Sequence, residues 1–412
     1  MEKRQWTNIV KLTAAVLLTF PLLTGCWDRL EIEDRAMVLG ISVDSADIKD
    51  ANTEDQISHL RGKFPAPNKN MIRVAVQIAL PGKIPLGPGE SGAVGKGAEE
   101  TVWVISVVGH TIDDAIMNLQ QQISSRLFFG HLRIIVVSEK VAKLGLQNLN
   151  DYFRRNPEVR RTAWMAVSKG DAEPMMRAAP KLERVPTLYL LSTLDEAVKQ
   201  GKFPNDFLGI FWSNSSKKGQ EAFLPYIELT GSQSVELKGM AYFKNDKMLD
   251  KSEPFEIAAY MGIKGLNPAG YRAFINLDSD PAKTVTIFAT HRQSKIDVKI
   301  RNGRPFFSIS VYTETNLEEK LSESLAANNS ELLQRIEEEN KKSLIKAYQG
   351  LIKKTQNKGS DIFGFGEYVR AKEPVFWNRE IQTKEKWQQM YPEVQMEIKV
   401  YSKVRRVGMK AR

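Results

Sequence analysis

The sequence predicts an α+β protein of several domains, with a layered α/β-type N-terminal domain and a mixed C-terminal domain of antiparallel hairpins and long helices. Strand and helix patterns alternate up to residue 180, whereas strand patterns after residue 230 come in hairpin pairs before long helical stretches. A chain of 412 residues also exceeds what one hydrophobic core usually serves. We therefore expect domains over residues 26–180 and 231–405, joined by a connecting region or small subdomain over 181–230.

The N-terminal domain is predicted from four strand patterns and the helices between them. Thr111 precedes apolar residues at helical spacing and has Asp114 three positions later, which is typical of a helix N-terminus. A Gly/Pro-rich loop over residues 81–97 separates the first two strands. Runs rich in β-branched and aromatic residues indicate the strands. These runs are Met71–Leu80, Thr101–Val108, Leu132–Val137 and Thr162–Ser168.

The connecting region and the C-terminal domain are predicted from turn residues and helix signals. We expect a helix around Thr193–Gln200 and a loop over Trp212–Gly219. Asn245-Asp246 and Asn302-Gly303 each favour a tight hairpin turn between two strand patterns. Thr315 with Glu318 resembles a capping box and predicts a long helical region, interrupted near residues 328–330 and ending before Gly359. The final predicted strand is Glu393–Val400.

The first 25 residues are typical of a bacterial signal peptide. Lys3, Arg4 and Lys11 are basic, and the apolar run Leu12–Leu23 that follows is too short to span a bilayer, which needs roughly 20 residues. Leu23-Thr24-Gly25-Cys26 matches a lipobox, in which cleavage leaves the cysteine first and lipidated. Since Cys26 is the only cysteine of the chain, it cannot form an intramolecular disulfide. We predict Cys26 to be the N-palmitoyl, S-diacylglyceryl cysteine that anchors the mature protein.

The composition indicates a folded body on the membrane surface. Hydrophobic residues make up 42% and charged residues 26% of the chain, which is ordinary for a globular protein. Cleavage removes three basic residues and one acidic residue, so the net charge falls from +10 to +8. Basic residues alternate with acidic ones throughout, so we expect no nucleic-acid partner. No later apolar run reaches 18 residues, so the anchor alone would attach the chain to the bilayer.

No catalytic, cofactor-binding or metal-binding motif is found. The Gly87–Glu100 stretch lacks the first glycine and the hydroxyl of a phosphate-binding loop. Gly364-Phe365-Gly366 has no third glycine at dinucleotide-binding spacing, which favours a tight turn flanked by core aromatic residues. None of the four histidines pairs with another at metal-ligand spacing, and His131 is expected to be a structural turn residue. The histidines are His59, His110, His131 and His291.

Six blocks in order along the mature chain resemble one family. Around the predicted cleavage site the sequence runs Gly-Cys-Trp-Asp from Gly25, with Glu-Ile close behind. Each block alone is a weak signal, but together they cover almost the whole mature chain. The sequence thus resembles the Ger(x)C family, the lipoprotein C subunits of spore nutrient germinant receptors. The blocks are Gly25–Asp44, Ser125–His131, Tyr152–Arg160, Leu237–Lys247, Asp361–Glu367 and Trp377–Pro392.

The resemblance implies a non-enzymatic subunit that works with an integral-membrane A subunit and a permease-like B subunit. Such a complex lies at the spore inner membrane, detects small nutrients such as amino acids or sugars, and triggers germination. The resemblance implies lipidation of Cys26 on the outer face of the membrane and transfers no ligand-binding residue. The exposed faces of the expected 317–358 helices and the 81–97 loop are candidate partner contacts.

Two other classes of protein remain as alternatives. A solute-binding lipoprotein that feeds an import transporter would have two similar α/β lobes around a cleft. The different patterns of the two halves and the lack of internal repetition count against this alternative. A secreted enzyme would require clustered carboxylates or histidines in a pocket, which the sequence alone does not indicate.

Overall fold

The computed structural model describes residues 5–7, 11–14, 34–47, 71–80, 101–180, 183, 185–231, 233–278, 283–322 and 330–406. Cys26 and the 81–97 loop lie outside these residues. No helix in the described part of the chain is long and apolar enough to cross a membrane. The predicted α+β class is confirmed, because two separate sheets are combined with helices on their faces.

The first sheet has nine strands in the order β3-β2-β1-β5-β6-β7-β8-β9, and the short β4 pairs with β1. Its centre is parallel, since β1, β5, β6 and β7 run in one direction, while β2, β3, β8 and β9 extend it antiparallel. The strands are β1 Arg35–Ser45, β2 Ile72–Ala79, β3 Val102–Gly109, β4 Arg126–Phe128, β5 Ile134–Ser138, β6 Trp164–Ser168, β7 Phe223–Thr230, β8 Ser234–Lys244 and β9 Lys247–Lys251.

Helices cover both faces of the first sheet. The predicted cap of α1 is confirmed, because the Asp114 backbone N–H donates to Thr111 Oγ1 over 3.1 Å. One 3₁₀ turn, Phe129–His131, precedes β5, and a second, Glu173–Met176, follows β6. The helices are α1 Ile112–Gln120, α2 Glu139–Leu144, α3 Gln147–Arg155, α4 Pro186–Lys199 and α5 Leu208–Ser216.

Side-chain alternation in the central strands explains why two helical layers are needed. Ile134 and Val136 of β5 point into one buried cluster, whereas Ile135 and Val137 point into the other. All four side chains are fully buried. Such two-sided burial is typical of parallel strands, which are apolar on both faces.

The second sheet has four strands in the order β10-β11-β12-β13. β10, β11 and β12 are antiparallel neighbours, and β13 returns parallel to β12. The strands are β10 Arg272–Asn276, β11 Thr284–Arg301, β12 Arg304–Lys320 and β13 Gln395–Arg406, and the helices are α6 Pro254–Ile263, α7 Ser330–Lys358, α8 Phe365–Lys372 and α9 Lys384–Met390. A helical turn, Pro374–Phe376, and a π-helical turn, Trp377–Ile381, follow α8, and a 3₁₀ turn, Tyr391–Glu393, precedes β13.

The helix predicted from Thr315 is wrong over residues 315–320, because β12 continues to Lys320. Alternate residues of β12 are buried as far as Leu317, so the strand period of two prevails over the capping-box signature. Glu318 instead forms an ion pair with Arg272 of β10, which lies on the other side of β11. The long helix α7 begins at Ser330 and ends at Lys358. Its end before Gly359, which has a positive φ, is as predicted from the sequence.

The loop predicted over Trp212–Gly219 is also wrong in part, since α5 extends to Ser216. The Ser216 hydroxyl donates to the Trp212 carbonyl over 2.8 Å, and Ser215 bonds in the same way to Phe211. Each serine hydroxyl thus bonds to the carbonyl group one turn earlier in the helix. Because serine is more common in loops than inside helices, the sequence predicted a loop here.

Both predicted hairpin turns are confirmed. Asn245 has φ 57° and Asn302 has φ 49°, the left-handed conformation that such turns require. However, the hairpin around Asn245 belongs to the first sheet, as does β7 from the region predicted to be a connection. The strands divide between the two sheets after Lys251, whereas the predicted domain limits lie at residues 180 and 230.

The two sheets share one buried apolar cluster. This cluster includes Met240 and Tyr242 of β8, together with Val298 of β11 and Phe307 of β12. At its edge the backbone around Gly219 approaches the N-terminal turn of α8, and the Gly219 N–H donates to Glu367 Oε1 over 2.8 Å. A Cβ on Gly366 would lie 2.6 Å from Gly219 Cα and 2.6 Å from Trp387 Nε1, so this contact requires glycine.

We expect Gly366→Ala to lower the free energy of unfolding of the mature protein by about 1–3 kcal/mol, because backbone atoms must move apart. The matched control is Gly350→Ala in α7, where an added Cβ meets no atom within 4 Å. That change should be neutral or raise stability by about 0.5–1 kcal/mol, since glycine is unfavourable inside a helix. Urea unfolding followed by circular dichroism measures both. Equal effects of the two substitutions would contradict the close contact.

Candidate functional site

Several buried titratable groups have structural roles. Asp361, at the turn before α8, accepts backbone N–H bonds from Gly364 and Gly366, both over 2.9 Å, and the Trp387 indole N–H over 3.0 Å. Burial raises the pKa of Asp361 to about 6. Gly364 has φ 74°, and the phenylalanines beside it are buried, so the predicted tight turn among core aromatic residues is confirmed. This carboxylate fixes the turn and faces no open cavity.

A second buried charge, Arg292 of β11, binds only backbone carbonyl groups. Its guanidinium donates to the carbonyl oxygens of Ala258, Leu266, Pro268 and Ala269 over 2.9–3.3 Å. Burial lowers the pKa of Arg292 to about 10. Ala258 lies within α6, and the other three carbonyl groups belong to the segment that follows this helix. Nothing in the sequence indicates this role, because Arg292 stands among other charged residues of an alternating strand.

Two further buried carboxylates differ in their surroundings. Glu221 lies 2.9 Å from Lys384 Nζ and accepts the Asn245 N–H, so it joins the β8–β9 turn to α9. Asp206 is fully buried, and both of its carboxylate oxygens lack a hydrogen-bond partner among the described residues. Burial raises the pKa of Asp206 well above its ordinary value.

The histidines do not form a metal site in the described part of the chain. No group of three or more His, Cys, Asp or Glu side chains there could hold a metal ion. His131 ends the 3₁₀ turn before β5, and its ring lies 5.9 Å from the Phe128 ring in an edge-on arrangement. His59 lies outside the described residues.

An open groove of about 830 Å³ lies between α1 and α3, on the outer side of the helices that cover the first sheet. Its apolar side chains come from α1 and from the β4 region. Met117 of α1 is 42% exposed there, whereas Ile112 and Ile116 are largely covered. The apolar lining residues are Ile112, Ile116, Met117, Leu127 and Phe129, and the ionisable ones include Asp113, Arg126, Asp151, Tyr152, Arg155 and Glu158.

Hydrogen bonds fasten the two walls of the groove to each other. Glu158, after α3, accepts the Phe129 backbone N–H over 2.9 Å, and its own N–H donates to Asn156 Oδ1. On the other side, the Leu127 N–H donates to Gln120 Oε1 over 3.0 Å at the end of α1. These bonds bring together Ser125–His131 and Tyr152–Arg160, two of the blocks on which the family resemblance rests.

The rim carries one ion pair and two charges without an ion pair. Arg155 and Asp151 of α3 form a pair over 2.8 Å, and the hydrogen bond from Arg155 lowers the pKa of Asp151. Asp113 and Arg126 are exposed and have no ion pair with another described residue. The rim therefore offers one anionic and one cationic group that are available to a ligand or partner.

The β4 wall of the groove is joined to β1, the strand that follows the predicted anchor in the sequence. β4 pairs with the start of β1, where Arg35 is opposite Arg126 and Ala36 is opposite Leu127. Arg35 follows Cys26 by nine positions. Nine residues reach at most about 30 Å when fully extended. The wall of the groove formed by β4 is thus within about 30 Å of Cys26.

Comparisons with known proteins match both halves of the chain. Residues 28–229 match the family model described as spore germination protein N-terminal domain, and residues 238–408 match spore germination B3/GerAC like, C-terminal. Spore germination protein KC of Bacillus subtilis (strain 168) is 26% identical over 425 residues, covering 97% of this chain and 96% of that protein. GerQC of Bacillus cereus is 23% identical over 313 residues, covering 76% and 85%.

A solved structure supports the fold. The crystal structure of the GerBC protein aligns with a TM-score of 0.53 at 18% identity, and the alignment covers 82% of this chain and 95% of that one. At this level of identity the likeness concerns the arrangement of strands and helices alone.

We expect Glu158→Ala to lower the free energy of unfolding by about 1 kcal/mol or more, because the Phe129 N–H loses its acceptor at a partly buried position. Asp151→Ala is the matched control, since it removes an exposed carboxylate from the same groove, and such ion pairs contribute little. Urea unfolding of the mature protein compares the two. A loss for Asp151→Ala as large as that for Glu158→Ala would show that the hydrogen bond is not what fastens the walls.

The raised pKa of Asp361 leads us to expect that the stability of the folded protein depends on pH. Its folded pKa of about 6 is above the ordinary value of 3.8, so the folded state retains this proton where the unfolded state loses it. The associated stability is present below pH 4 and is lost, by up to about 3 kcal/mol, as the pH rises through 6. We expect Asp361→Asn to remove this contribution from the wild-type curve of stability against pH.

Urea midpoints measured between pH 4 and 7 test this expectation. The control is Asp297→Asn, because Asp297 is exposed and paired with Lys372 over 3.0 Å, and this pairing lowers its pKa. If wild type and Asp361→Asn lose stability in parallel over this range, the Asp361 carboxyl is not the group that titrates.

Proposed function

Because the chain belongs to the GerAC family of spore germination proteins, we propose that it is the lipid-anchored, non-enzymatic C subunit of a spore nutrient germinant receptor. The observation that carries the proposal is the coverage of the family match, which extends from residue 28 to residue 229 and from residue 238 to residue 408. The engagement of Asp361 and Arg292 in backbone contacts is consistent with a role that requires no catalysis.

The proposed anchor is a diacylglyceryl and palmitoyl group on Cys26. Its support is the sequence of the lipobox, which places the sole cysteine directly after a short apolar run. Each buried methylene of an acyl chain contributes about 0.8 kcal/mol, and more than one chain is needed for stable attachment. A protein anchored in this way would lie on the outer face of the spore inner membrane or of the cell membrane.

The proposed partners are the integral-membrane A and B subunits of the receptor, with which this subunit would act to trigger germination by small nutrients. Anchoring confines the subunit to the surface that holds its partners and so raises their effective concentration. Of the partner contacts expected from the sequence, the 81–97 loop lies outside the described residues. Of the expected 317–358 helices, residues 317–320 form a strand and residues 330–358 form α7. The α1–α3 groove is the surface that we now favour.

A solute-binding lipoprotein is the less favoured alternative. That class requires two similar lobes around a cleft. Here one sheet has nine strands with a parallel centre, and the other has four strands with mostly antiparallel pairs. The two halves therefore lack the likeness that this function would require.

We expect Cys26→Ala to release the protein from membranes and to abolish or greatly delay nutrient-triggered germination. The membrane-bound fraction should fall at least about tenfold, because no acyl chain remains to hold the body at the bilayer. Spores are assayed for nutrient-triggered germination, and fractionation with immunoblotting gives the amount and location of the protein. Asp28→Asn, which leaves the lipobox unchanged, is the control. Intact responses to every nutrient, with normal amounts of unanchored protein, would overturn the proposal.

A further inference from the structure

We propose that the groove between α1 and α3 binds an amphipathic helix from the water-exposed part of a membrane-embedded receptor subunit. This inference rests on the proposed function and names the surface through which the partner would be held. Three observations carry it, namely the shape and apolar lining of the groove, the placement of its free charges, and its distance from Cys26.

The groove has the form that helix packing requires. α1 and α3 run along its sides and leave an open space of about 830 Å³, which suits the side chains on one face of a third helix. Met117 projects from α1 with 42% of its surface exposed, and Tyr152 lies partly exposed on α3. Methionine adapts its shape to different neighbours, which favours its use in binding apolar side chains. An apolar stripe of residues at positions i, i+3 or i+4, and i+7 would fit this lining.

The two charges without an ion pair determine the orientation of the bound helix. Asp113 lies in the first turn of α1. Arg126 lies beyond the C-terminal end of α1, next to Leu127, whose backbone N–H donates to Gln120. The nine residues of α1 span roughly 13 Å. We therefore expect the bound helix to carry a lysine or arginine near Asp113 and an aspartate or glutamate near Arg126. These residues would be roughly eight or nine positions apart beside the apolar stripe.

The position of the anchor favours a partner at the membrane. β4 pairs with β1 at Arg35, and the nine-residue connection to Cys26 reaches at most about 30 Å. A lipidated Cys26 therefore keeps the groove within about 30 Å of the bilayer surface. Segments that emerge from an integral-membrane subunit lie at this height.

The test is photo-crosslinking in membranes that contain the complete receptor. A photoreactive amino acid replaces Met117 or, as the matched control, Leu144, which is 49% exposed on α2 and does not line the groove. We expect the probe at position 117 to crosslink to an integral-membrane subunit, and the probe at position 144 to give at least tenfold less of that product. Mass spectrometry of the product should locate the site in an amphipathic segment with the expected pair of charges.

Substitutions provide a second measurement. We expect Met117→Glu to lower the recovery of the membrane subunits by about tenfold when this chain is purified from detergent extracts, and Leu144→Glu to leave recovery unchanged. Thermal unfolding of the purified variants checks that both are folded. Crosslinks from position 117 to a second copy of this chain, to its own segment before residue 34, or to lipid would overturn the inference, as would equal recovery with both variants.

The outcomes separate this inference from the proposed function. If wild type recovers the membrane subunits and Met117→Glu recovers them equally well, the groove is not the contact, but the receptor role remains. If wild type itself recovers no membrane subunit from extracts that contain both, the proposed function fails and the inference fails with it.

Discussion

Burial of the first sheet on both faces is the constraint on which the rest of the structure depends. Since β5 directs Ile134 to one side and Ile135 to the other, each side must be covered by a separate layer. Helices α1, α3 and α5 supply one layer. On the other side, helices α4, α6 and α7 and the second sheet share a single apolar cluster with the first sheet. The second sheet therefore contributes to the core that covers the first, and it also packs against α7 in a small apolar cluster of its own.

Charged groups in the shared region are neutralised largely by backbone dipoles. Asp361 binds backbone N–H groups and an indole, and Arg292 binds four carbonyl groups, so each fixes an irregular segment that has no partner strand. A buried charge without such hydrogen bonds would lower the stability of the folded state, so loss of the bonding partners would be destabilising. These residues therefore determine the course of the loops that let the second sheet pack against the first.

Short sequence signals predicted the turns and helix caps, because these depend on interactions between residues that are close in sequence. Asn302-Gly303 identified its hairpin because few other residues adopt the left-handed conformation, and Thr111 identified the start of α1 by its cap. The signature at Thr315 failed because pairing with β11 and β13, which is a long-range interaction, decided the structure there. The role of Arg292 and the groove were not predictable, since both depend on segments that are distant in sequence. Hydrogen bonds from Phe129 to Glu158 and from Trp387 to Asp361 show that resemblance blocks separated in the sequence meet in the fold.

The layered arrangement leaves the α1–α3 groove on the side opposite the second sheet, which is why that surface is open to a partner. A tether of at most about 30 Å would confine the groove to a thin zone above the membrane, where effective concentrations reach the millimolar range. A contact with a dissociation constant near 1 mM, or about 4 kcal/mol, would then be half occupied. The apolar surface around Met117, with one charge near each end of α1, would need to supply no more than such a contact. Lipidation and a weak groove would together form a stable association that neither would form alone.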